Sequence, residues 1–162
     1  MSTHVDGRLS GTGLDCIGMM LVAAARSLIG TPYHVKGRLP GVGIDCVGVP
    51  IVSAWLAGVK PRSFDIRGYS DVPDGSLLPQ CDAHMQRVER AEMRPGDVVI
   101  VRLGAVPHHV GVLGDYRHGG LSMIHADNAR LHRVVEHRLW FDAAMHFVAA
   151  YRIPQYTPEP AA

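Results

Sequence analysis

Apolar positions along the chain come in two kinds of run. Those of the first half are long: residues 17–25 read IGMMLVAAA, and the pattern stays apolar on most sides until Arg26. This predicts a buried helix over residues 15–29, closed by Gly30 and Pro32. A second long run, VGVPIVSAWLA, predicts a helix over residues 45–57 that stops at Gly58. Within it Pro50 removes one early backbone donor and is expected to distort the first turns. Residues 60–75 are rich in Pro, Gly, Ser and Asp and read as loop, and residues 76–87 as a short helix. In the second half the runs shorten. DVVIVRL, HHVGVLGD, LSMIHAD, HRVVEHRL and FVAAYRI are separated by stretches such as GAVP, YRHGG and NAR. They predict a meander of antiparallel strands. Helices first and strands second give an α+β fold, with N-terminal helices packed on a C-terminal antiparallel β-sheet. The Pro-rich end, residues 154–162, is expected to fray.

Composition narrows the picture. With 162 residues, 47% hydrophobic and 19% charged, the chain is expected to form one domain over residues 1–162. Its formal charge is +1 and Lys and Arg are dispersed, so no footprint of a nucleic-acid or anionic-membrane partner is visible. The run at residues 17–25 is too short to insert across a bilayer, and MSTHVDGR lacks the basic-then-apolar order of a signal peptide. The expectation is therefore a protein made in, and kept in, the cytoplasm unless released by another route. Cys16, Cys46 and Cys81 are an odd number without Cys-x-x-Cys spacing, which favours reduced thiols over a disulfide framework or a zinc finger.

One stretch occurs twice. HVDGRLSGTGLDCIGM at residues 4–19 aligns without gaps on HVKGRLPGVGIDCVGV at residues 34–49, with ten of sixteen positions identical. Residues 4–24 thus partly duplicate residues 34–54. Each copy is a Gly-rich loop ending in Asp, a good N-cap, before apolar residues that can run as a helix. Two short copies do not make a solenoid.

A cysteine at the first turn of a helix lies near free backbone N–H groups and the positive end of the dipole, which favours the thiolate. Cys16 and Cys46 both meet that description. A thiolate nucleophile also needs a base within reach and a group to orient the base. In HHVGVLG, Gly111 follows His109 by two residues on the same strand face and leaves room for a backbone or substrate. The next strand supplies His125, with Asp127 and Asn128 as alternatives for orienting the base. His108 falls on the opposite face by alternation and is expected at the rim. His4, His34, His84, His118, His132, His137 and His146 are scattered and read as surface residues. None has the paired helical spacing of a zinc site, so neither a metal nor another cofactor is expected.

The motifs together resemble the NlpC/p60 cysteine peptidases of bacterial cell walls, especially their phage-tail and prophage branch. The likeness runs from about Ala24 to Ile153. ARSLIGTPYHVKGRLPGVGIDCVGV resembles the opening helix, the Pro-Tyr loop and the Asp-Cys-x-Gly nucleophile motif, and RPGDVVIV, HHVGVLG and MIHAD resemble the later motifs in the family's order. The resemblance implies a papain-like fold. It implies Cys46 as nucleophile, His109 as base and His125 as the residue that orients it. Tyr33 would help bind substrate or oxyanion, and Asp45 would meet a substrate amine. The implied substrate is a peptidoglycan stem peptide, cleaved between D-glutamate and a diamino acid, with phage tail proteins as partners. Thr3 stands where Tyr33 stands in the other copy, so Cys16 lacks the same support. Val47 and Pro50 depart from the family pattern, which commonly has Ser after the nucleophile. Two rival readings share these residues: a virion structural module of the same fold without hydrolysis, and a cysteine acyltransferase or amidase on a non-wall substrate.

Overall fold

A computed structural model describes residues 12–70 and 74–155. The first copy of the repeated stretch up to residue 11 and the end of the expected frayed tail lie outside the described residues. In chain order the elements are α1 (Thr12–Ser27), β1 (Arg38–Leu39), β2 (Gly43–Ile44), α2 (Gly48–Leu56), α3 (Leu77–His84), β3 (Gln86–Val88), β4 (Val98–Leu103), β5 (Val106–Asp115), β6 (Leu121–Asp127), β7 (Arg133–Arg138) and β8 (Met145–Arg152).

The expected α+β arrangement is present, as three helices and a six-stranded antiparallel sheet of order β3-β8-β4-β5-β6-β7. The meander holds from β4 to β7, but β8 turns back to pair with β4 instead of extending past β7. Residues 86 and 87, expected at the end of a helix, form with Val88 the edge strand β3, where Val88 is buried and pairing with β8 supplies the backbone bonds a helix end would lack. Among the described residues, no helix is long and apolar enough to cross a membrane.

Alternation along the strands divides the core. Val98, Ile100, Val110, Val112, Ile124 and Val134 belong to the clusters shared with α1 and α2, while Val99, Val101, Leu113 and Met123 form a separate cluster with Met145 under Phe141 and Phe147. Each such side chain contributes roughly 1.5–3 kcal/mol on burial. Gly111, expected to leave room for a backbone or a substrate, makes room for the next strand: a Cβ there would lie 2.6 Å from the Met123 side chain and 3.2 Å from the Ile124 carbonyl oxygen. Two glycines set how closely the first helix approaches the sheet. A Cβ on Gly18 of α1 would lie 2.4 Å from the Pro95 carbonyl oxygen, and Gly96, at φ +92°, would strike Gly18 in return. Beside this contact the Asp97 carboxylate binds the Arg152 guanidinium at 2.8 and 2.9 Å and accepts the Arg94 N–H, which fixes the turn before β4.

Candidate active site

Helix α2 begins three residues later than its apolar pattern suggests, and the delay builds the site. The Asp45 carboxylate accepts the Gly48 N–H at 2.7 Å, and its carbonyl accepts the Val49 N–H at 3.2 Å, so Cys46 and Val47 form the turn that leads into the helix. Pro50 falls in the first turn, where a missing N–H is tolerated. Beside it the Ile51 N–H reaches the Val47 carbonyl at a long 3.5 Å. Gly48 is required here because a Cβ would meet the Gly37 carbonyl oxygen at 2.7 Å and the Ile44 side chain at 2.6 Å. The glycine of the Asp-Cys-x-Gly stretch therefore lets α2 sit against the loop that carries Arg38.

Asp45 and Arg38 form the buried base of this turn, 2% and 7% exposed. Both Asp45 oxygens are taken up, by the Arg38 guanidinium, the Tyr69 hydroxyl and the Lys36 and Gly48 N–H groups. Arg38 places all five of its donor hydrogens, on Asp45, Asp65, Tyr69 and the carbonyls of Gly37 and Ile66. Burial opposes the Arg38 cation, but Tyr69, Asp45 and Asp65 outweigh it and its pKa is raised. Burial and then Asp45 push the Tyr69 hydroxyl upward, so it stays protonated and donates. For a substrate amine to reach Asp45, one of these four donors would have to give way.

Cys46, Tyr33, Asp45, Tyr69, His109 and Asn128 line one cleft of about 260 Å³. Tyr33 is held in place by backbone on both sides: its N–H donates to the His132 carbonyl at 2.8 Å, and the neighbouring Pro32 carbonyl accepts the Ile44 N–H. His109 enters through β5. There the β4–β5 register shifts between Val101 and Leu103, so two residues of β5 oppose Arg102. The shift breaks the alternation that assigned His108 to the far face, and His108 lines the cleft beside His109.

His109, 7% exposed, places Nε2 2.7 Å from His125 Nδ1. Its other nitrogen, Nδ1, is the one left to serve a thiol. His125, and not Asp127, is the hydrogen-bond partner of His109, and the Asp127 carboxylate accepts the Ala129 and Leu131 N–H groups at 2.9 and 2.8 Å. Burial, against the attraction of Asp127, lowers His109 to about 4, and burial together with its histidine neighbours lowers His125 to about 3. Both are therefore neutral at pH 7. The helix-start N–H groups that favour a thiolate are opposed here: burial and then the Asp45 charge push the Cys46 thiol up to about 12, which the N–H groups of Val110, Val47 and Cys46 only partly offset. The resting pair is a neutral thiol and a neutral imidazole. Cys16 lies exposed within α1, and Cys81 is buried in α3 with its thiol also pushed up to about 12, first by burial.

The depressed histidines carry a stability prediction. A histidine with a folded pKa below its unfolded value near 6.5 contributes stability present above pH 6.5 and lost as pH falls toward about 4. The slope reaches about 1.4 kcal/mol per pH unit for each histidine. Urea unfolding midpoints should therefore drop between pH 7 and pH 5, above the range where carboxylates titrate. His109→Gln combined with His125→Gln should flatten that limb, and an unchanged limb in the double variant would refute the assignment.

Three residues of the site escaped the sequence. His137, expected as a surface histidine, is half-buried and sets Nε2 2.8 Å from His125 Nε2. Arg38 had a signal, since the arginine of GRL stands seven residues before the aspartate of Asp-Cys in both copies of the repeat. Tyr69 had none, coming from a stretch that reads as irregular loop.

No family model matches the sequence, and no curated protein matches it. Solved structures do. The chain resembles the NlpC/p60 domain of the peptidoglycan hydrolase SagA at 26% identity and TM-score 0.57, covering 84% of this chain and 98% of that one. It resembles NlpC1 from Trichomonas vaginalis at 18% identity and TM-score 0.60, over 93% of this chain but 46% of that one. The peptidoglycan hydrolase RipB from Mycobacterium tuberculosis aligns at 22% identity and TM-score 0.58, over 95% of this chain and 75% of that one. At these identities NlpC1 and RipB speak to the fold alone. The fold is the α+β, papain-like one of NlpC/p60 domains.

Proposed function

We propose that this chain is a cysteine peptidase that hydrolyses peptidoglycan stem peptides. The observation that carries the reading is one cleft lined by Cys46 at a helix start and by His109, whose far nitrogen is engaged by His125 at 2.7 Å. SagA and RipB, which share the fold, are peptidoglycan hydrolases. Cys46 is the nucleophile, His109 the base and His125 its orienting partner. Tyr33, lining the same cleft, binds substrate, and Asp45, saturated by its four donors, positions the helix start.

Because both groups rest neutral, the proton moves during attack. Sγ adds to the peptide carbonyl carbon as its proton passes to His109 Nδ1, and the helix-start N–H of Cys46 donates to the developing oxyanion. The C–N bond then breaks and the amine leaves with the His109 proton. Water adds to the thioester carbon, giving its proton to His109, and the C–S bond breaks to restore the thiol. Cleavage between D-glutamate and the diamino acid, and action within a phage tail among tail proteins, rest on the sequence resemblance.

Digestion of purified sacculi and of defined muropeptides, followed by mass spectrometry, tests the proposal. The expected result is release of fragments with a new amine on the diamino acid. Intact sacculi and muropeptides after exposure to folded protein would overturn it. Cleavage at a different stem bond would overturn the bond assignment alone.

A further inference from the structure

Three histidines on three adjacent strands form one line: His109 on β5, His125 on β6 and His137 on β7. His125 opposes Val135 and His137 opposes Met123, so the two imidazoles are diagonal neighbours on one sheet face. The gaps are 2.7 Å from His109 Nε2 to His125 Nδ1 and 2.8 Å from His125 Nε2 to His137 Nε2. The line ends on backbone, where His137 Nδ1 lies 2.9 Å from the Arg138 carbonyl oxygen. The Trp140 ring, 4.9 Å from the His137 ring and tilted by 50°, covers this end.

Resting on the peptidase reading, we propose that His137 is a positioning residue that fixes the tautomer of the catalytic base. A carbonyl oxygen only accepts, so His137 Nδ1 carries the hydrogen and, in the neutral ring, Nε2 is a lone pair. His125 Nε2 must then donate, which leaves His125 Nδ1 a lone pair. His109 Nε2 must donate in turn, and His109 Nδ1 is left unprotonated, as the base needs. Reversing the line would set the lone pair of His137 Nδ1 against the carbonyl oxygen at 2.9 Å and put a hydrogen on His109 Nδ1. One backbone carbonyl, read through three rings, thus selects the form of His109 that can take the thiol proton.

Long-range proton–nitrogen correlation spectra of the intact protein, with histidine nitrogens labelled, read the tautomers without turnover. At pH 7 the expected spectra show His109 and His125 as Nε2–H and His137 as Nδ1–H, with assignments from single His→Gln variants. His137→Phe removes the acceptor while keeping an aromatic ring under Trp140. It should mix the tautomers of His125 and His109 and lower kcat about ten- to a hundredfold with KM unchanged, the usual range for a residue that orients another. His137→Gln offers a carbonyl oxygen at the same place and should restore both. A wild-type His109 found as Nδ1–H, or a Phe variant with unchanged tautomers, would overturn the proposal. If peptides are not cleaved at all, the peptidase reading fails while the spectra still decide the relay.

Discussion

Cys46→Ala should bring peptidoglycan hydrolysis to background, a loss on the order of a millionfold in kcat, whereas Cys16→Ala should leave it unchanged. The contrast follows from placement. Cys46 stands at the start of α2 in a cleft with His109, and Cys16 lies exposed on α1. The stronger form of the prediction concerns His109. With a thiol pushed up to about 12, Cys46 carries almost no thiolate at pH 7, so attack depends on handing the proton to the imidazole. His109→Ala should therefore cost nearly as much as Cys46→Ala, and the double variant should cost no more than either alone. Each kcat is measured with one muropeptide under saturating conditions. Independent, multiplying losses would mean that the two residues do not act as a unit, and a fully active Cys46→Ala protein would remove the nucleophile.

Much of this arrangement was legible in the sequence because its signals are local. The strands from β4 to β7 are short runs rich in Val, Ile and Leu bounded by turn residues, and the first two helices announce themselves by apolar length and terminal glycines. A helix start picks out Cys46 and Cys16 alike and two neighbouring strands offer His109 and His125, and the family resemblance is what favours Cys46 of the two cysteines. What stayed hidden depends on pairing between distant segments. The return of β8 to β4, and β3 beside it, leave no mark in either strand alone. His137 looks like any scattered histidine until the β6–β7 register sets it diagonally beside His125. Alternation failed for His108 because a register shift places two residues opposite one. The balance that sets the charge of Cys46 is hidden for a related reason. Helix position favours a thiolate, but burial and the Asp45 carboxylate are set by the whole fold and outweigh it.

Arg38→Met should destabilise the protein by about 3–5 kcal/mol, the cost of leaving a buried charge without its partner. Arg38 is 7% exposed, and its five hydrogen bonds gather Asp45, Asp65, Tyr69 and two carbonyls around the base of α2. Without it, Asp45 keeps a negative charge in the interior with only neutral donors, Tyr69 and two N–H groups. The same carboxylate holds the Gly48 N–H, so loss of the pair should also displace Cys46 and depress kcat in whatever fraction folds. Arg38→Lys should recover little, because one ammonium cannot reproduce a planar fork that serves both carboxylates and Tyr69. Arg38→Met with Asp45→Asn is the informative control. Removing both charges should recover part of the stability while leaving activity low, since the amide no longer accepts from both the helix start and the Lys36 N–H in the same way. Urea titration read beside kcat separates the two effects. A loss below about 1 kcal/mol in Arg38→Met would show that water or a neighbouring residue compensates Asp45, and that the helix start does not depend on the guanidinium.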